Sequence, residues 1–276
     1  MRRIPTSRAA VHAALVLYTL LAVSPILLIL INSFKSRSAI FGSPLSLPNS
    51  TTFSLMGYGS VLGKANFILY FANSLIVTVG SLAMVLFLGA MASWALTEYR
   101  FRGNTLVGLY LAIGIMVPIR LGSVSILKMM VAFGLVNTLP ALILVYTAMG
   151  LPLAIFILSE FIQQIPREMR DAARIDGASE YRIFWNVILP LIRPAVATVA
   201  VFTMVPIWND LWFPLILAPG RNTQTVTLGV QQFIGQYVTD WNAVLAALSL
   251  ALAPILVLYI IFSRSLVRGI TAGAVK

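Results

Sequence analysis

Two groups of residues in this sequence have types and spacings that could do chemistry, and neither is catalytic. The first lies in Pro166–Pro194, PREMRDAARIDGASEYRIFWNVILPLIRP, where Arg167, Arg170, Arg174, Arg182 and Arg193 accompany Glu168, Asp171 and Asp176. Charge at that density, beside Ala172, Ala173 and Gly177, suits a small-faced helix that inserts into a groove on another protein, with Asp171, Arg174 and Asp176 forming ion pairs at its rim. An amphipathic loop lying on a membrane surface accounts for the same residues equally well. The second group is Arg120 and Asp210, ionisable residues inside apolar runs, where such residues mark solute or ion pathways by default. The chain has no cysteine and one histidine, His12. That leaves no disulfide, no thiolate nucleophile and no expected metal site.

The elements that must position these residues are membrane spans. Apolar residues make up 59% of the 276 and charged residues 10%, against about 25% charged in a soluble domain. The apolar runs predict six helices, in one all-α transmembrane domain, over approximately 11–31, 68–96, 105–130, 139–161, 194–217 and 242–262, each near the ~20 residues that a bilayer requires. Pro118 is expected to kink the third. Residues 32–67 and 218–241 are then loops on one side, and 97–104 and 162–193 loops on the other.

The net charge of +11 follows from topology and not from nucleic-acid binding. Lys35, Arg37, Lys64 and Arg221 occupy one set of loops. Arg2, Arg3 and Arg8, Arg100 and Arg102, the five arginines of 166–194, and Arg264, Arg268 and Lys276 occupy the other. The positive-inside rule makes the richer set cytoplasmic, with both termini there.

Within 166–194, Pro166 suits a helix start and Glu168 favours its N-terminus. Gly177 can stop the helix in the left-handed conformation, and Ser179 can cap a second one. Ile183, Phe184, Val187 and Ile188 form an apolar stripe, and Pro190 and Pro194 are expected to end it. Asp210 lies about 10 Å along the helix axis from the end of span five. Its neighbours Trp208, Asn209 and Trp212 mix aromatic faces with hydrogen-bonding groups and suit a sugar, and pairing of Asp210 with Arg120 or with a partner subunit is the alternative. Asn73 is a further pathway candidate, although interhelical hydrogen bonding also explains it.

DAARIDGAS…VILP resembles the EAA loop of binding-protein-dependent ABC importer permeases: Glu-Ala-Ala, three residues, Gly, nine residues, Ile, one residue, Leu-Pro. Here Asp171 stands for Glu and Val187 for Ile, while Ala172, Ala173, Gly177, Leu189 and Pro190 match. Asn73-Ser74, Gly134–Thr138, Trp208-Asn209-Asp210 and the ending Gly269–Lys276 resemble the carbohydrate-uptake group, closest to the maltose-type second permease subunit.

The resemblance implies a type I ABC importer permease fold in a bacterial or archaeal inner membrane. It implies docking of an ATPase subunit on Glu168, Asp171, Ala172, Ala173, Arg174, Asp176 and Gly177. The implied partners are a second permease, two ATP-binding subunits and an external solute-binding protein, which Gln231, Gln232, Gln236 and Tyr237 would contact. The chain itself carries no ATPase site: at Gly57–Ala65 the nearest approach to a P-loop has Tyr58 where glycine is required and Ala65 for Ser or Thr. ATP and magnesium are expected in the partner, and the chain is expected to be no enzyme. The cargo by this reading is a sugar or oligosaccharide. Glycerol phosphate or another polar solute is the alternative, kept open by Arg120, and a secondary transporter the remote one.

Overall fold

The computed structural model describes residues 6–64, 66–235 and 239–274. Its helices, in order, are α1 (Thr6–Ser33), α2 (Arg37–Gly42), α3 (Met56–Lys64), α4 (Phe67–Glu98), α5 (Asn104–Met116), α6 (Ser123–Ala132), α7 (Leu139–Gln163), α8 (Arg167–Ile175), α9 (Glu180–Ile183), α10 (Leu189–Leu191), α11 (Arg193–Asn209), α12 (Trp212–Leu217), α13 (Val226–Val230) and α14 (Trp241–Ala274). Among the described residues, three helical stretches are long and apolar enough to cross a membrane unbroken: 10–33, 67–98 and 139–163.

Two other expected spans are not single helices. Span three is α5 followed, after a break, by Ile119–Ala132 at 89°. Val117 is extended and Pro118 has no N–H to give, so the helical ladder cannot pass either residue. Span five ends as α11 at Asn209. Asp210 is extended, and a new helix, α12, starts at Trp212. The sixth apolar run, 241–257, lies within α14.

The contacts divide the chain into two units, residues 1–68 with 229–253 and residues 69–228 with 254–276. In the first unit, the polar stretch 32–67, expected as a loop, is folded. It holds α2, α3 and a bridge between Lys35 and Phe53. Lys35 is 0% exposed. Its amine donates to the carbonyls of Ser43 (2.8 Å) and Pro44 (3.2 Å), and its own carbonyl accepts from Asn242 at 2.7 Å. Burial lowers the pKa of this amine.

The second unit carries both candidate sites. α7 is its axis, packed by α5, α11 and α12. Thr138 caps α7 by accepting the Ala141 N–H, and a proline sits in the first turn. Gly150, in the middle of α7, permits close approach: a Cβ there would lie 2.8 Å from Val85 and 3.2 Å from Thr203. The connection before α7 is stapled to the end of α12, because the Asn137 N–H donates to the Leu217 carbonyl (2.7 Å) and its side chain accepts the Gly220 N–H (2.9 Å).

One core cluster joins Val85 and Trp94 of α4, Ala154, Leu158 and Ile162 of α7, Ile183, Phe184 and Ile188, and Val199 of α11. The apolar stripe of 183–188 is therefore the face that seats the 166–194 segment. Pro190 does not end this arm as expected. Residues 184–188 form a π turn in which the Leu189 N–H reaches back to the Phe184 carbonyl. That shift of register passes over the missing donor of Pro190, and the break comes at Ile192, where the arm meets α11 at 74°.

Candidate functional site

The 166–194 segment is built from behind. Gly177 adopts φ +77°, and the Ala178 N–H closes on the Ala173 carbonyl at 3.0 Å, which ends α8 in a left-handed cap. Ser179 caps α9 through the Arg182 N–H. Arg170 is 6% exposed. Its guanidinium donates to Glu98 and lies 5.9 Å from the centre of the Trp94 ring. Arg174 donates to the other Glu98 oxygen, to Glu180 at 2.9 Å and to Asp171 at 3.0 Å.

Glu98 is the last residue of α4, where the helix dipole disfavours a carboxylate. Two guanidinium forks offset that and fasten α8 to the end of α4. Hydrogen bonds to Glu180 and then Glu98 raise the Arg174 pKa. The Arg174 hydrogen bond lowers that of Glu180 against the opposing effect of burial. Burial, and next the hydrogen bond to Glu180, raises that of Tyr99.

The Glu180 contribution is complete above its ordinary value of 4.5 and is lost as pH falls through the lower folded value. The Arg174 contribution, from a pKa raised above the ordinary guanidinium range, is complete throughout the neutral and mildly alkaline range. Protection of 167–180 from proteolysis is therefore expected to stay constant from about pH 6 to 9 and to fall only in acid below about pH 4.

Of the expected docking residues, Glu168, Asp171, Ala172, Asp176 and Gly177 are exposed, whereas Ala173 leans on the core. Arg174 is half-buried: it pairs with exposed Asp171 on one side and with Glu98 and Glu180 on the other. Sequence reasoning did not identify Ile175, which is 86% exposed at the tip of α8, or its exposed apolar companions Met169 and Tyr181. An apolar residue ending a strongly polar helix was the available signal.

The second site lies where the two broken spans meet. Asp210 accepts from the backbone N–H of Trp212 (3.3 Å) and Phe213 (3.1 Å), so it caps α12. It also accepts the Tyr146 hydroxyl (2.9 Å) and the Arg120 guanidinium (3.3 Å). Trp212 donates its indole N–H to Ser123 at 2.8 Å, and Ser123 donates to the Arg120 carbonyl. Beside this junction is a cavity of ≈ 220 Å³, walled by Arg120, Tyr146, Gly150, Phe202, Thr203 and Pro206 among others.

The structure thus brings Arg120 and Asp210 together, with Trp212 adjacent. The other pathway candidates lie elsewhere. Trp208 is buried edge-on against Phe71. Asn209 bonds back to the Val205 carbonyl of its own helix. Asn73 is buried and donates to the carbonyls of Asn222 and Gln224, tying down that loop. Tyr146, Thr203 and Phe202 were missed, and the polar groups of Tyr146 and Thr203 inside apolar helices were the only cue. Gln231 and Gln232 are exposed, whereas Gln236 and Tyr237 lie outside the described residues.

Several apolar spans, two of them broken around a polar-edged cavity, together with a rigidly held helix that ends in exposed apolar residues, define a membrane transport permease. The chain matches the family described as "Binding-protein-dependent transport system inner membrane component" over residues 86–272, and it belongs to that family.

The diacetylchitobiose uptake system permease protein NgcG of Streptomyces coelicolor is 35% identical over 96% of this chain and 88% of its own length. The probable starch degradation products transport system permease protein AmyC of Thermoanaerobacterium thermosulfurigenes is 32% identical over the full length of both. The fold matches, at TM-score 0.81 and 21% identity, a chain in the crystal structure of a bacterial ABC transporter involved in the import of the acidic polysaccharide alginate, over 96% of this chain and 99% of that one. The fold is therefore that of an ABC importer permease, and the protein is a multi-pass component of the inner membrane.

Proposed function

We infer that this chain is one of two permease subunits in an ABC importer that takes up an oligosaccharide delivered by an external binding protein. Helix α8 docks an ATP-binding subunit, which holds the ATP and magnesium; two such subunits serve the pair of permeases, and both chain termini are cytoplasmic. Closure of the ATP-binding subunits moves α8, and the spans fastened to it switch access between the two sides of the membrane.

The observation that carries this reading is Ile175, an exposed apolar side chain on a helix that Arg170 and Arg174 fix from behind. A loop lying on a membrane surface would need no such bracing. The names of the relatives, for diacetylchitobiose and for starch degradation products, support a saccharide cargo. A phosphate-bearing cargo has less support, because the guanidinium at the cavity is already neutralised by Asp210.

The test is reconstitution in proteoliposomes with both permeases, the ATPase subunits and the cognate binding protein. ATP-dependent uptake is assayed with maltotriose, diacetylchitobiose, glycerol 3-phosphate and digalacturonate. Uptake of a saccharide is expected, and uptake of glycerol 3-phosphate alone would contradict the reading. In the same assay Gly177→Pro should reduce uptake to background while the subunit still inserts. Proline fixes φ near −65°, and this position requires +77°.

A further inference from the structure

We propose that the cavity at the junction of the two broken spans is a subsite for one uncharged pyranose ring of the transported solute. The proposal rests on the reading of the chain as a saccharide permease and names the chemistry of its site.

At ≈ 220 Å³ the cavity is smaller than the roughly 300–1,000 Å³ of pockets that enclose drug-sized ligands. It takes one ring and not a whole oligosaccharide. Phe202 is exposed, and with Pro206 and Met149 it offers an apolar surface suited to the C–H face of a sugar. Polar groups gather at the junction. The Arg120 side chain is 67% exposed and gives one nitrogen to Asp210, which leaves further donors of its fork for hydroxyls. Thr203 belongs to the wall, and its buried hydroxyl has no partner. A buried unpaired hydroxyl is costly, and a rotation about χ1 would let a ring hydroxyl relieve it.

Charge sets the class of ligand. The Asp210 side chain is only 8% exposed and is held by two backbone N–H groups, a tyrosine and Arg120. It cannot swing away to release the guanidinium. The pair sums to zero, so a uronate or phosphate entering the cavity would give up hydration without gaining a free countercharge. A neutral ring makes no such demand. The location also fits, since non-helical backbone at membrane depth is tolerated where it lines a cavity: the break at Asp210 does so here, and Arg120 reaches the wall from the turn just after the break at 117–118.

The test reads occupancy and not transport. The natural chain has no cysteine, so Met149→Cys places a single reporter thiol in the cavity wall of this subunit. The complete importer in proteoliposomes is labelled with a small methanethiosulfonate reagent against increasing maltotriose, diacetylchitobiose or digalacturonate. A neutral saccharide is expected to protect the thiol at lower concentration than digalacturonate. Adding Thr203→Val should raise the protecting concentration of the neutral saccharide about fivefold, the effect of one lost hydrogen bond. Adding Asp210→Asn, which frees the Arg120 charge, should shift the preference toward digalacturonate. Absence of protection by either neutral saccharide, or equal protection by digalacturonate in the unaltered cavity, would overturn the subsite. An importer that transports no saccharide would instead count against the functional reading, which the protection assay does not measure.

Discussion

Glu98→Ala should leave a subunit that inserts into the membrane but cannot keep its ATPase subunit. The carboxylate is shared by Arg170 and Arg174, and the two arginines differ in what remains to them. Arg174 retains Glu180 and Asp171. Arg170 is buried and keeps only the Ile165 carbonyl and the face of Trp94. Removing one partner of a buried pair costs about 3–5 kcal/mol, because the other charge is left uncompensated. That is large against the stability of a nine-residue helix, so α8 should leave its seat. Limited proteolysis of 167–180 should become rapid, and co-purification of the ATPase subunit should be lost. Glu98→Gln, which keeps an acceptor and gives up the charge, should fall between the two. Retention of the ATPase subunit by Glu98→Ala at the wild-type level would show that the clamp does not position the docking helix.

Ile175→Asp should give an equally severe loss of docking by the opposite route. This side chain is 86% exposed among the described residues, so the change should alter folding by no more than about 0.5 kcal/mol. An apolar anchor at the centre of an interface contributes about 2 kcal/mol or more. The ATPase subunit should therefore bind on the order of 30-fold more weakly, with the proteolysis pattern of 167–180 unchanged. The two variants separate the support of the helix from its contact: one loosens α8, and the other leaves it in place with the wrong tip.

The parts that sequence made legible were those written locally. Gly177 as a left-handed stop, Ser179 as a cap, the 183–188 stripe and the interruption at Pro118 each depend on a few neighbouring residues, and each is present. The inward turn of Arg170 and Arg174 was not legible, because their common partner lies more than seventy residues upstream. Trp208 misled for the same reason: an aromatic near an intramembrane aspartate suits a sugar, and only the packing shows it against Phe71. For Asn73 the competing explanation, a hydrogen-bonding role, was visible, whereas its partners in a loop about 150 residues away were not. Asp210 is the intermediate case. The alternative of pairing with Arg120 was visible, whereas its role as the cap of α12 required the break at 210 to be seen. The folded stretch 32–67 was hidden because polar composition resembles a loop whether or not its backbone is paired.

In this cysteine-free chain, Ala172→Cys and Gln231→Cys each supply one reactive position, and a short thiol-to-amine crosslinker can be applied to the assembled importer. Ala172→Cys should form an adduct with the ATPase subunit, in a yield that changes when ATP is added, and Gln231→Cys should form none. An adduct with the ATPase subunit from position 231 and none from position 172 would contradict the account.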